Sequence, residues 1–159
     1  MMEIPDLLPD IRFPPLVASD HEFSFRVKAE AMGPHIKRHW GWDEQYQRDV
    51  HHQKLRARPF SLIELNGSAI GTVSLERHAD HLQFGEFYIL TEFRGQGIGS
   101  RVLRHCLSLA DEMHLPVSLE YLLWNPVGTL YRRHGFLETS TTETHYILSR
   151  PTTGPGAMR

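Results

Sequence analysis

The stretch TEFRGQGIGSRVL, residues 91–103, places three glycines within five positions: Gly95, Gly97 and Gly99. It follows an apolar run and leads into a segment in which apolar residues recur at helical spacing, so it joins a strand to a helix. Glycine destabilises the interior of regular structure. Its concentration at this junction indicates either a tight turn or a loop in which the backbone must approach a ligand closely.

Three binding chemistries use a glycine-rich loop between a strand and a helix. A nucleotide P-loop requires a lysine after the glycines, and none follows here. A dinucleotide fingerprint opens the first βαβ unit and ends in Gly or Ala, whereas this loop lies mid-chain and has Ser100 at that position. The remaining chemistry is diphosphate binding by bare main-chain N–H groups at the positive end of a helix, with Arg94 adding charge. A tight corner without a ligand is the alternative.

The rest of the chain alternates between strand and helix patterns. Residues 22–28 alternate apolar and polar side chains, which predicts a strand. The segment after it predicts two short helices, with Pro34 in a first turn, Gly41 at a helix end and Asp43 as a cap. The Asn66-Gly67 pair predicts a β-hairpin. Further strands are predicted at 60–65, 68–77, 81–90, 116–125, 136–140 and 144–150, and further helices at 98–115 and from Asn125 to Gly135.

Two motifs resemble the signatures of the GNAT superfamily of N-acetyltransferases. Arg94-x-x-Gly97-x-Gly99 is similar to its pyrophosphate loop, and NPVGTLYRRHGF, residues 125–136, is similar to its second signature. The resemblance implies an α/β (α+β) fold in which helices flank a mixed, mostly antiparallel central sheet of about six to seven strands. It covers residues 22–150 as one domain, preceded by an extension at 1–21 and followed by a flexible tail at 151–159.

The resemblance also implies acetyl-CoA as cosubstrate. In the family, the strand before the loop splays from the next strand, so that the pantetheine arm pairs with exposed backbone. Ile89 and Leu90 occupy those backbone positions here, and one of their amides would stabilise the oxyanion. The implied cofactor-binding residues are Ile89, Leu90, Arg94, Gly95, Gln96, Gly97, Ile98, Gly99, Ser100, Asn125 and Tyr131.

Direct transfer to an amine requires a base and a proton donor. An alkylammonium with a pKa of about 10.4 is almost wholly protonated near neutral pH, so a base is useful. Glu86 on the central strand is the predicted base, and Glu120 on the next strand is its rival. Tyr131 matches the family tyrosine that donates a proton to the departing thiolate; the alternative is a buried aromatic residue on a helix face.

The acceptor pocket is the least determined part. In this fold, the early helices and the last hairpin usually wall it, which makes Trp40 and Trp42, together with Glu120, the predicted substrate-binding residues. Aromatic rings could pack an alkyl stem or hold a cation. The alternative is that the two tryptophans only pack the elbow between the helices against the sheet.

Composition limits the other function classes. The formal charge of −2 gives no sign of nucleic acid or an anionic membrane as partner. The single cysteine, Cys106, is predicted to lie in the core, and the scattered histidines predict no metal site. With no signal-peptide pattern, we expect a cytoplasmic protein that acetylates a primary amine of a small molecule or protein, and a homodimer is compatible with the fold. The alternative is a non-catalytic acyl-CoA-binding module of the same fold.

Overall fold

A computed structural model describes residues 2–123 and 125–152. Within these residues, helices flank a seven-stranded mixed sheet of strand order β1-β2-β3-β4-β5-β7-β6, in which only the β4–β5 pair is parallel. This confirms the predicted fold class. The elements are β1 (Ile11–Arg12), α1 (His21–Trp40), α2 (Glu44–Ala57), β2 (Phe60–Leu65), β3 (Ser68–Arg77), β4 (Leu82–Ile89), α3 (Ile98–Met113), β5 (Val117–Leu122), α4 (Gly128–Arg133), β6 (Leu137–Thr141) and β7 (His145–Arg150).

The strand predicted at 22–28 is wrong, because these residues form the start of α1. The buried positions of α1 include Ser24, Lys28, Met32 and Ile36, a four-residue repeat whose first two members are polar. Counting apolar residues alone therefore hid the helical period. Pro34 lies inside α1, and not in a first turn as predicted.

The elbow between α1 and α2 forms as the sequence predicts. Gly41 follows the last residue of α1 with φ +76°, in the region that favours glycine. The Asp43 side chain accepts a 3.0 Å hydrogen bond from the backbone N–H of Tyr46 and caps α2. The two helices therefore form a pair that turns back over the sheet.

The residues before α1 pack against the rest of the fold. β1 pairs with β2, and the side chains of Ile4, Ile11 and Phe13 are buried in the main core. Asp10 accepts two hydrogen bonds, of 2.7 and 2.9 Å, from the Arg101 guanidinium of α3, which lowers the pKa of its carboxyl. The far end of the predicted tail, residues 153–159, lies outside the described residues.

The parallel pair β4–β5 opens into a gap. The two strands pair only at Leu82–Val117 and Gln83–Ser118, near the start of each strand. Beyond that point β4 carries an irregularity in its pairing with β3, at Glu86, whose φ is +48°. The divergence confirms that the strand before the glycine loop splays from its neighbour.

The helices after the loop complete the core. α3 presents Val102, Leu103 and Cys106 to the sheet; burial raises the pKa of the Cys106 thiol to about 12, as fits a core residue and not a nucleophile. Asn125 Oδ1 accepts a 3.1 Å hydrogen bond from the N–H of Val127, although α4 itself begins one residue later than that amide. None of the described helices is both long and apolar enough to cross a membrane.

Candidate functional site

A cavity of about 660 Å³ lies in the β4–β5 gap, between the glycine loop and the α1–α2 pair. We call its two parts the loop end and the helix end. The loop end is formed by Phe93, Arg94, Gly95, Gly99, Asn125 and Tyr131. The helix end is formed by Lys28, Trp40, Lys54, Arg58, Glu86 and Glu120. The two ends belong to one continuous cavity.

At the loop end the backbone is the main chemical resource. Gly95 and Gly97 have φ values of +75° and +81°, and a side chain at either position would point into open space. Gly97 is the N-cap of α3 and provides no side-chain cap, so no cap side chain occupies the N–H groups of the first turn of α3. These groups and the positive end of the α3 dipole favour an anion.

Only one of the two predicted amides faces the gap. The N–H of Leu90 donates to the carbonyl of Ile70 on β3 at 2.8 Å and therefore cannot donate to a ligand in the gap. Because successive residues of a strand direct their N–H groups to opposite sides, the Ile89 N–H points away from β3 and toward β5. The Ile89 carbonyl accepts a 2.9 Å hydrogen bond from Arg94 Nε, which holds the arginine beside the gap.

Several other predicted loop residues lie beside the cavity without lining it. The Gln96 side chain donates to the carbonyl of Glu92 at 3.2 Å, and Ser100 Oγ accepts a 3.4 Å hydrogen bond from Arg133. Ile98 is buried in the core. These three side chains therefore have structural partners, and any contact with a ligand would come from their backbone N–H groups.

Tyr131 stands on α4 at the loop end. Its ring packs edge-on against Phe84 and Phe136, with centroids 6.2 and 5.8 Å away, and it is 6% exposed. Its hydroxyl makes no hydrogen bond within the described part of the chain. Burial, and then the nearby Tyr121, raise the pKa of Tyr131, so the hydroxyl stays protonated and can donate a hydrogen bond into the cavity.

A neighbouring glycine of the second motif has a packing role. A Cβ atom at Gly128 would overlap the Tyr121 hydroxyl, which accepts a 2.9 Å hydrogen bond from Arg132. A glycine is therefore required at this position to leave room for the hydroxyl group. Gly71 is the comparable case in β3, where a Cβ would overlap the carbonyl oxygen of Tyr88.

At the helix end, the available chemical groups belong to side chains and not to the backbone. The Glu86 side chain is only 3% exposed, and its Oε1 lies 3.1 Å from Arg58 Nη1 and 3.3 Å from Lys54 Nζ, both on or next to α2. Its Oε2 is buried and has no hydrogen-bond partner among the described residues. One oxygen of this carboxylate is thus held by two cations, and the other is uncommitted.

Lys28 reaches the same end from α1. It is 4% exposed, and it makes no hydrogen bond or ion pair with the residues that the structure describes. Burial, followed by the charge of Lys54, lowers the pKa of the Lys28 ammonium to about 8, while Glu86 opposes the shift. At neutral pH the ammonium is therefore still mostly charged, although it is buried.

A buried histidine lies behind this group. His51 Nε2 is 2.7 Å from Ser24 Oγ, whose own proton goes to the carbonyl of His21 at 2.7 Å, so the imidazole donates through Nε2. Burial, and then the charge of Lys28, lower the pKa of His51 to about 4. His51 is therefore neutral near pH 7 and adds no charge to the helix end.

The predicted acceptor residues divide between two places. Trp40 lines the cavity and is 58% exposed, and Glu120 lines it from the solvent-exposed side of β5. Trp42 does not line it: its ring lies 6.3 Å from that of Phe25, and its Nε1 donates to Glu44 at 3.0 Å. Over residues 2–123 and 125–152, no group of three or more His, Cys, Asp or Glu side chains could hold a metal ion.

Sequence reasoning missed Lys28, Lys54 and Arg58. Lys28 was placed in a predicted strand, and the other two carry no motif. The available signal was the i, i+4 repeat of Ser24, Lys28, Met32 and Ile36, which places Lys28 on the inward face of a helix once the helix is assumed.

A family comparison identifies the chain. Residues 56–138, just over half of its length, match the model of the acetyltransferase (GNAT) domain. The chain belongs to the GNAT acetyltransferase family. The match includes the loop end and reaches Arg58 and Glu86, whereas Lys28 and Lys54 precede it. A search of curated protein sequences gave no significant match.

Solved acetyltransferase structures share the fold at low sequence identity. The PaiA N-acetyltransferase of Thermoplasma acidophilum, in complex with coenzyme A, is 18% identical, with a TM-score of 0.71 over 90% of this chain and 99% of its own. The ribosomal-protein-S18-alanine N-acetyltransferase of Escherichia coli is 16% identical, with a TM-score of 0.66 over 94% and 98%. A GNAT acetyltransferase of Elizabethkingia anophelis with acetyl-CoA bound is 15% identical, with a TM-score of 0.66 over 89% and 98%.

Proposed function

We propose that this GNAT protein transfers an acetyl group from acetyl-CoA, held at the loop end, to a primary amine held at the helix end. The observation that carries the proposal is the single cavity that joins the two ends through the β4–β5 gap. Two related structures contain coenzyme A or acetyl-CoA, which supports the choice of donor.

The diphosphate of the donor binds the main-chain N–H groups of residues 95–100. Gly97 lets these groups approach the phosphates because its missing side chain leaves open space in front of the helix end. Arg94, held by the Ile89 carbonyl, adds a positive charge beside them. The pantetheine arm then runs along the gap, past Asn125 and Tyr131.

The Ile89 N–H is the proposed donor to the oxyanion. The thioester carbonyl gains negative charge as the amine attacks, and a preoriented backbone N–H stabilises that charge. Ile89 is preferred over Leu90 because the Leu90 N–H is already bonded to Ile70. Of the two backbone N–H groups that the sequence predicts as oxyanion donors, that of Ile89 is therefore the one proposed.

Glu86 is the proposed base. The bound ammonium loses a proton to Glu86, directly or through water, and the neutral nitrogen attacks the thioester carbon. The support is its buried, unpartnered Oε2, which is free to accept a hydrogen bond or a proton. Glu120 is the rival, since it also lines the cavity and is exposed.

Collapse of the tetrahedral intermediate breaks the carbon–sulfur bond. The Tyr131 hydroxyl donates a hydrogen bond to the departing sulfur. Burial raises the pKa of Tyr131 far above that of an ordinary thiol, which is about 8.5. The tyrosine therefore stabilises the thiolate through a hydrogen bond and keeps its own proton. The attacking nitrogen loses a second proton as the carbon–sulfur bond breaks, and that proton neutralises the thiolate, so that the products are an acetamide and free CoA.

Thiol release from acetyl-CoA in the presence of primary amines tests the function. We expect release that depends on both substrates, with acetylated amine detected by mass spectrometry. Calorimetry with CoA is run in parallel. Binding of CoA without release for every amine would favour the non-catalytic acyl-CoA-binding module, and absence of binding would contradict both functions. A cytoplasmic location and a homodimer stay predictions.

A further inference from the structure

We propose that the acceptor amine also carries an anionic group, a carboxylate or a phosphate, and that Lys28 binds this group at the helix end of the cavity. The inference rests on the proposed function and names the class of its second substrate. It applies to the side of the site that the family motifs leave undetermined.

The first support is the environment of Lys28. Lysine is almost never fully buried unless it is paired, because transfer of an isolated ammonium into a protein interior is costly. Here the lysine residue as a whole is 4% exposed and lines the cavity, and its ammonium has no hydrogen-bonding partner within the described residues. An anion that enters the cavity would supply the missing partner.

The second support is that one oxygen of the nearest carboxylate, Glu86, already has two cationic partners. Glu86 Oε1 is shared by Arg58 at 3.1 Å and Lys54 at 3.3 Å, so two cations already balance one negative charge before Lys28 is counted. Glu120, the other carboxylate of the cavity lining, is exposed on β5. The described helix end thus has three cations against two carboxylates.

This charge balance disfavours polycationic acceptors. A polyamine would add positive charge next to Lys28, Lys54 and Arg58, whereas an acceptor with one amine and one anion adds no net charge. The same cations also disfavour the protonated form of the acceptor amine, since a like charge nearby lowers the pKa of an ammonium. The arrangement therefore selects an anionic substituent and assists deprotonation of the amine.

The test compares matched acceptors on the wild-type protein. The series is an ω-amino carboxylic acid, its uncharged primary amide, the aminoalkyl phosphate of the same length and the corresponding diamine. We expect kcat/KM for the carboxylate or the phosphate to exceed that of the amide by roughly 10- to 100-fold, the range of a charge-assisted hydrogen bond. The first and third compounds distinguish the two anionic groups.

Two variants assign the preference to one residue. Lys28→Met removes the charge with little change in length, and we expect the ratio of kcat/KM between anionic and uncharged acceptor to fall close to one. Lys28→Arg keeps the charge and should retain most of the ratio. Lys37→Met removes an exposed charge from the same helix, outside the cavity, and should leave the ratio unchanged.

The outcomes separate the inference from the function on which it rests. Equal or better turnover of the diamine or the uncharged amide by the wild type would overturn the anionic acceptor while the acetyltransferase stands. An anionic preference that survives in Lys28→Met would overturn the role of Lys28. No turnover of any amine, with or without CoA binding, would overturn the function itself.

Discussion

The two ends of the cavity differ in the chemical groups that they present. At the loop end, backbone N–H groups at the start of α3 form the proposed anion site, and Arg94 is the charged side chain beside them. At the helix end, the proposed chemistry uses side chains on α1, on or next to α2 and on β4, namely Lys28, Lys54, Arg58 and Glu86, which all line the cavity. A backbone site depends on local conformation, whereas a side-chain site changes with each substitution. We infer that the loop end serves the shared donor and that the helix end sets the acceptor.

The largest effect should come from Gly97→Val at the loop end. The branched side chain would stand where the diphosphate binds, and we expect CoA affinity to fall at least about 100-fold, or roughly 2.7 kcal/mol, by calorimetry. Gly67→Val is the matched control: Gly67 also has a positive φ, +86°, and open space, but it lies in the β2–β3 turn away from the cavity. If the two variants bound CoA with equal affinity, any loss of affinity would come from backbone strain. The claim that a side chain at position 97 excludes the diphosphate would then be contradicted.

Glu86→Gln compares the two carboxylates of the helix end. Loss of the base should lower kcat about 100-fold at pH 7, and the deficit should shrink as the pH rises toward the pKa of the acceptor amine. Glu120→Gln should change kcat less than about threefold if Glu86 is the base. The reverse order would move the base to Glu120. Because Glu86 is the charged partner of Arg58 and Lys54, urea unfolding of each variant shows whether the loss of its charge affects the stability of the fold.

Lys28→Met should raise stability while it lowers acceptor preference. The pKa of Lys28 is about 8 in the folded protein and 10.5 when unperturbed, so the folded state holds its proton less tightly. This cost is fully present below pH 8 and disappears as the pH rises toward 10.5. We expect Lys28→Met to be more stable by about 2–3 kcal/mol at pH 7 in urea unfolding, with little difference near pH 10.5. A less stable variant at pH 7 would contradict an unpaired buried ammonium.

The smallest effect should come from Tyr131→Phe at the loop end. The phenyl ring keeps its packing against Phe84 and Phe136, and only the hydrogen bond to the leaving sulfur is lost. We expect kcat to fall about 10-fold, the lower end of the effect of a hydrogen bond to a charged group, about 1.5–3 kcal/mol, and KM for acetyl-CoA to stay within about twofold. An unchanged kcat in steady-state assays would remove Tyr131 from the chemistry.

The same contrast explains what could be predicted from the sequence. The loop end is encoded by contiguous motifs, 91–103 and 125–136, whose glycines and tyrosine occupy fixed positions, so its placement at the start of α3 followed from the pattern. The helix end brings together residues that are up to 92 positions apart, Lys28 to Glu120, and no local pattern records that they line one cavity. Lys28 continues the apolar–polar alternation of 22–28 as a polar residue, although it is buried in α1, and an alternation read from polarity alone predicts a strand.

The bonding of individual amides lies beyond sequence patterns for a different reason. Ile89 and Leu90 are equivalent in the motif, and only the pairing of β4 with β3 commits the Leu90 N–H to Ile70. Likewise, Trp40 and Trp42 flank one glycine, but only Trp40 lines the cavity. Strand register and helix rotation decide both cases.

The most direct test is a crystal structure of the chain with CoA. The proposed function predicts that the diphosphate contacts the N–H groups of residues 95–100, that the pantetheine arm lies in the gap between β4 and β5, and that the thiol sulfur lies within hydrogen-bonding distance of the Tyr131 hydroxyl. Density for CoA outside the gap, or a diphosphate bound away from Gly97, would contradict it.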